Sequence, residues 1–126
     1  MNIKVHESVE DEFNKMLNEL KKLGFKQNPY YPNEPTFLAL SFKLPYDGKV
    51  IVEAGGNYLM KDPKPYSEFG TRLLVNPNSR DSSVTIASYD IRTSSSPNWL
   101  ADGLTIVKEY VEEAKRLVAL PIKEGW

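Results

Sequence analysis

Two acids, Asp47 in a turn and Glu53 on the strand that follows it, lie six residues apart. Carboxylates paired in this way can hold a divalent cation and activate a bound water for hydrolysis. That chemistry also wants a lysine two residues past the second acid, where this chain has Gly55; Lys61 falls well beyond the strand. Asp47 is explained as well by the turn Pro45-Tyr46-Asp47-Gly48, since aspartate before glycine is turn chemistry. A metal-dependent hydrolase built on Asp47 and Glu53 is therefore the third of three functional readings, and no metal or cofactor is expected.

Other catalytic side chains are scarce. The chain has no cysteine and a single histidine, His6, which excludes disulfide frameworks, thiol nucleophiles, iron–sulfur clusters and cysteine-based zinc sites. His6 precedes the first helix, a poor place from which to position a general base. Ser94, Ser95 and Ser96 have no histidine near them in sequence to complete a nucleophilic triad, and helix capping accounts for them. Gly55-Gly56 lacks the glycine spacing and the Gly-Lys-Ser/Thr ending of a phosphate loop, and reads as the end of a strand. Catalysis is not the expectation.

Binding chemistry is better represented. Arg72, Arg80 and Arg92 all fall in the second pair of strands, and strand parity puts Arg72 and Arg92 on the face opposite Leu73 and Ile91. Lys43 shares that face with Phe37, Ile51 and Leu74, while Glu53 and Asp90 dilute its charge. Tyr30, Tyr31, Tyr46, Tyr58 and Tyr66 occur in segments read as loops, where tyrosine offers large contact area at low entropic cost. Tyr30, Tyr31, Tyr58, Tyr66, Lys43, Arg72, Arg80 and Arg92 are thus the candidate binding residues. The leading reading is a non-enzymatic binding module that acts on a protein partner or by self-association as a homo-oligomer, through an open sheet face and the tyrosine- and proline-rich loops. The second is a nucleic-acid-binding accessory protein using the three arginines and Lys43. A solvated sheet face crossed by ion pairs would explain the same charges without any partner.

Composition narrows the field without choosing. The 126 residues suit one domain spanning the whole chain. Sixteen basic and seventeen acidic residues leave a net charge of -1, so no strong field draws the protein to polyanions. A hydrophobic fraction of 40% with 26% charged residues is that of a folded chain. No apolar run approaches the roughly 18 residues of a membrane span, nor signal-peptide length near Met1, so a cytoplasmic protein with no membrane partner is expected.

The elements that must carry these residues follow from periodicity. Val9, Phe13, Met16, Leu17, Leu20 and Leu23 step by threes and fours, predicting a helix from Val9 to Leu23, capped by Ser8 and stopped at Gly24. Phe37 to Leu44 and Lys49 to Ala54 alternate and form a hairpin; Phe69 to Val75 and Val84 to Arg92 form a second pair, with a bulge or face switch near Ala87 and Ser88. The stretch from Gly55 to Glu68 reads as a long loop. Leu100, Leu104, Val107, Val111, Ala114 and Val118 form the stripe of a second helix ending before Pro121, with Trp99, Tyr110 and Leu117 flanking it and Gly103 weakening its first turn, so that Asp102 is a possible cap. Glu112 is expected to pair with Lys108 and Arg116 at four-residue spacing. Helix, four-stranded antiparallel meander, helix gives an α+β two-layer sandwich, because each element has one apolar face to bury.

Overall fold

The computed structural model describes residues 7–29, 33, 36–45, 48–60, 65–76, 84–92 and 97–119, with side chains for all of these except 7–11, 57–60 and 65–67. Helix α1 (Glu7–Lys22) buries Phe13, Met16 and Leu20 completely, the three-four stepping of the sequence made physical. It starts at Glu7, so Ser8 lies inside the first turn and is not the cap. At the other end Gly24 takes a φ of 104°, and the Phe25 and Gly24 amides donate to the carbonyls of Leu20 and Lys21 at 3.1 and 3.0 Å. This double closure satisfies carbonyls that the helix leaves unpaired and turns Phe25 into the core, where it is 3% exposed.

The sheet has five antiparallel strands in the order β1-β2-β3-β4-β5: β1 (Lys26–Gln27), β2 (Phe37–Lys43), β3 (Lys49–Met60), β4 (Pro65–Asn76) and β5 (Val84–Arg92). The meander is as expected from the short connections, with one more strand than expected. β1 is two residues long and pairs Lys26 and Gln27 with Ala39 and Leu38, too brief to show any alternation. β3 and β4 overrun their expected ends. Gly55-Gly56 does not stop β3, which continues to Met60, and β4 begins at Pro65, so most of the supposed loop is a long two-stranded extension of the sheet. The bulge is present: Leu73 pairs with Ala87 but Leu74 with Thr85, leaving Ile86 as the extra residue. β5 is an edge strand, and its Val84 and Ile86 are the exposed large hydrophobics of the described residues.

Both helices lie on one face of this sheet. Leu38, Val50, Val52, Ala54, Phe69 and Leu73, all of one strand parity, join Phe13, Met16 and Leu20 of α1 and Val107, Val111 and Ala114 of α2 (Trp99–Ala119) in a single buried cluster. Trp99 is 1% exposed and sits at the centre, with ring centroids 4.9 Å from Phe13 and 5.8 Å from Phe69, while its indole N–H donates to the Glu12 carboxylate. The residue expected to flank the stripe is thus the one that joins α1, β4 and α2, because it begins the helix where all three meet. Leu104 is only partly buried and packs at the side of the cluster.

Gly103 does not delay the second helix. Asp102 lies within α2, donating its amide to Asn98 at 2.9 Å, and is not the cap. Gly103 is buried against Phe69, whose Cε2 would stand 2.9 Å from an added Cβ. On the outer face Glu112 pairs with Lys115 and Glu113 with Arg116, three residues apart, in place of the expected four-residue pairs. Among the described residues no helix is long and apolar enough to cross a membrane.

Candidate functional site

The face of the sheet turned away from the helices carries the remaining polar and charged strand residues. Antiparallel register arranges them in rows that cross the strands. One row reads Phe37–Gly55–Gly70–Asp90 from β2 to β5. A second, two residues further along, is Ala39–Glu53–Arg72–Ser88; a third, on the other side, holds Glu68 opposite Arg92. Toward the far end Ile51 and Leu74 are paired, and they are 2% and 4% exposed although they lie outside the core cluster. They contribute no exposed apolar surface, so the mixed apolar and basic patch expected on an open face is absent at that end.

Glu53 is the most deeply placed charge among the described residues, 9% exposed. One of its carboxylate oxygens accepts the Asn28 side-chain amide at 2.7 Å and the other accepts the Arg72 guanidinium, which stands directly opposite it in the register. Asn28 is itself 1% exposed and is held in place by its backbone N–H, which donates to the Phe37 carbonyl at 3.0 Å. From the next position on β4, on the helix side, the Thr71 hydroxyl donates to the Glu53 carbonyl at 2.8 Å. A carboxylate fixed this way has its charge compensated and its lone pairs engaged, which suits positioning better than proton transfer. Arg92 faces Glu68 at 3.7 Å, with both side chains about half exposed or more.

Between these rows the sheet is hollow. Gly55 and Gly70 are directly opposed, and neither supplies a side chain to this face. Phe37 leans over Gly55 from one side, its Cδ1 lying 3.1 Å from where a Cβ would be, and the Asp90 carboxylate leans over Gly70 from the other, at 2.5 Å. What remains is a depression of about 210 Å³, walled by Glu53 and Arg72 on one flank and Glu68 on the other. Asp90 has no ion-pair partner among the described residues, and its charge reaches around the edge strand. Burial first, then Glu109 and Asp90, raises the pKa of the Tyr110 hydroxyl above its ordinary value.

Of the residues singled out from sequence, the structure brings Arg72 to the depression and Arg92 beside it. The two are separated by four residues along the strands, about 13 Å, and each faces a glutamate, so they do not form a shared cationic patch. Lys43 is exposed at the opposite end of β2, opposite Lys49. Tyr58 and Tyr66 belong to strands β3 and β4 and not to a loop, in adjacent positions of the paired extension. Tyr30, Tyr31, Tyr46, Arg80, Asp47 and His6 lie outside the described residues. The proposed partnership of Asp47 with Glu53 is therefore answered only at Glu53, which binds Asn28 and Arg72. Among the described residues no group of three or more His, Asp or Glu side chains is arranged to hold a metal ion.

Sequence reasoning missed Phe37, Gly55, Gly70 and Asp90 as a unit. A signal existed: two glycines inside alternating stretches mark positions where a side chain is excluded or a backbone is approached closely. Their opposition depends on the β3–β4 register, which the spacing of residues does not give when the strands are thought to end at Ala54 and begin at Phe69. Comparison with known family models, with curated proteins and with solved structures found no match for this chain.

Proposed function

We propose that this protein is a non-enzymatic binding domain that engages a protein partner through the sheet face opposite its helices, with the glycine-floored depression at the centre of contact. The observation that carries the reading is the row Phe37–Gly55–Gly70–Asp90, a hollow on an otherwise pleated surface with an aromatic wall and a rim of charges. Concave sites with an apolar lining and a few placed polar groups are where binding concentrates. Glu53 favours binding over catalysis, because both its oxygens are engaged by groups that hold it still.

Photo-cross-linking tests this directly. A photoreactive phenylalanine analogue at Glu68, on the rim, is expected to capture a protein in the cells that express this chain, whereas the same analogue at Glu112, on the outer face of α2, captures none. A product of twice the chain mass would identify the partner as a second copy. Equal capture at both positions, or none at Glu68, would remove the sheet face as the contact surface.

A further inference from the structure

We infer that the depression takes a protonated primary amine on an unbranched alkyl chain, presented by a protein as a lysine side chain. This rests on the binding-domain reading above and assigns its ligand. Three different features of the hollow point the same way.

The first is charge. Three carboxylates, Glu53, Glu68 and Asp90, face the guanidinium groups of Arg72 and Arg92, and register pairs Glu53 with Arg72 and Glu68 with Arg92. Asp90, at the end of the row, has no ion-pair partner among the described residues, and its carboxylate is turned over Gly70 into the hollow. Among the residues lining the hollow carboxylates outnumber cations, so an incoming cation is favoured there over an anion, although Lys26 lies further along the same face. The second is shape. The floor is backbone, Gly70 on one side and on the other Gly55 with the Thr36 carbonyl close over it, and Phe37 to Asp90 spans three inter-strand spacings, about 14 Å between Cα atoms, before the two side chains lean inward. That leaves a channel of side-chain width, and about 210 Å³ exceeds the roughly 150 Å³ that holds a benzene molecule. The third is the opposite wall: Phe37 lines the hollow with carbon, so the methylene stem of a lysine can lie along it while the ammonium reaches Asp90. A compact ammonium suits a single carboxylate approached from the end of a channel; a planar guanidinium needs a broad bidentate face.

The test uses the whole chain, labelled with nitrogen-15, and follows the amide signals of Gly55 and Gly70. The probes are n-butylammonium, a capped Gly-Lys-Gly peptide and its norleucine counterpart. Butylammonium and the lysine peptide should shift both glycines saturably, with dissociation constants on the order of 1 to 10 mM for so small a contact. The norleucine peptide should bind at least about tenfold more weakly, the loss expected when one charge-assisted contact is removed. Asp90→Asn, an exposed position whose variant should keep the remaining amide spectrum, should weaken the lysine peptide by a similar factor; Asp102→Asn on α2 should leave it unchanged. Norleucine binding as well as lysine, or an Asp90→Asn variant that binds as the parent does, overturns the cation assignment. Butylammonium binding with no response to the lysine peptide would make the ligand a free amine and overturn the protein source. Cross-linking at Glu68 together with blank amine titrations would leave the binding domain standing and remove only its lysine ligand, whereas loss of both would remove the site.

Discussion

The two faces of the sheet are made by alternate residues of the same strands, yet they are built to different ends. On the helix side Val50, Val52, Ala54, Phe69 and Leu73 form an unbroken apolar surface under Trp99, Phe13 and Val107. On the other side the same strands supply a compensated buried carboxylate, two opposed glycines and an aspartate with no ion-pair partner among the described residues. The adjacent glycines of β3 show the division most sharply. Gly56 faces the helices, and a Cβ there would stand 2.5 Å from the Phe13 ring and 2.1 Å from the Glu68 carbonyl oxygen, so its missing side chain lets α1 settle onto the sheet. Gly55 faces away and lines the hollow, and a Cβ there would stand 2.2 Å from the Thr36 carbonyl oxygen, so its missing side chain lets the start of β2 cross close to β3. Both neighbours admit a close approach, Gly56 from the core side and Gly55 from the reverse, because successive side chains of a strand point in opposite directions. A face that already carries the core leaves its reverse free to hold features that cost stability.

If that division is right, the largest effect belongs to the centre of the helix side. Trp99→Ala removes the ring that touches both Phe13 and Phe69 and the donor to Glu12. Urea unfolding should show a loss of about 3 to 5 kcal/mol, as for large aromatic truncations in cores. A loss below about 1 kcal/mol would mean that α2 does not seal this face.

Trp99 also shows where the sequence was readable. The helix stripe, the meander order, the Gly24 stop and the bulge were all legible because each is written in local spacing: threes and fours, alternation, a glycine after the last apolar residue, a parity change in β5. Trp99 was underrated because its burial depends on where helix and sheet meet, a tertiary matter. The candidate site was legible only in part. Parity placed Arg72 and Arg92 on the reverse face, but their partners Glu53 and Glu68 come from register, and so does the opposition of Gly55 and Gly70. Two consecutive glycines looked like a strand end because glycine weakens strand interiors, a local preference that packing against Phe13 overrides.

Next in size is a pair of glycine substitutions that sets the faces against each other. Gly56→Ala should cost about 1 to 3 kcal/mol or more, because its Cβ meets backbone and an immobile core ring. Gly70→Ala meets only the end of the exposed Asp90 side chain, which can swing away, and should change stability by less than about 1 kcal/mol. It should nevertheless weaken binding of the lysine peptide, since it fills the floor. Thermal melts and amide titrations of both variants check the contrast, and equal destabilisation would erase it.

The arginines sharpen the comparison within the reverse face. Arg72→Ser strands the Glu53 carboxylate, which is nearly buried; since the Arg72 side chain is 45% exposed, water offsets part of the penalty, and about 1 to 3 kcal/mol is expected. Arg92→Ser breaks a 3.7 Å exposed contact and should cost at most about 0.5 kcal/mol. In a Glu53→Gln background the cost of Arg72→Ser should shrink while that of Arg92→Ser should not. Two arginines that looked equivalent by parity would then differ by what stands opposite them, and equal costs would show that burial of Glu53 is not what distinguishes them.

The smallest effect is reserved for an ion pair on neither face. On the outer surface of α2 Arg116 donates to both carboxylate oxygens of Glu113, and that hydrogen bonding, opposed by desolvation and assisted by the guanidinium charge, holds the Glu113 carboxyl below its ordinary value. A carboxyl depressed in the folded state contributes stability above its unfolded pKa and loses it as pH falls through the folded one. Carboxyl-carbon titration by NMR should therefore find Glu113 ionised to lower pH than an ordinary glutamate, and Arg116→Gln should return it to the ordinary range. Because the pair lies on the solvated surface of the helix, unfolding midpoints of parent and variant should agree within error at neutral pH and remain together in acid. A midpoint difference as large as that of Arg72→Ser would show that a bidentate pair on the helix surface does as much for this fold as one whose carboxylate is nearly buried in the sheet, and the distinction between the faces would lose its physical basis.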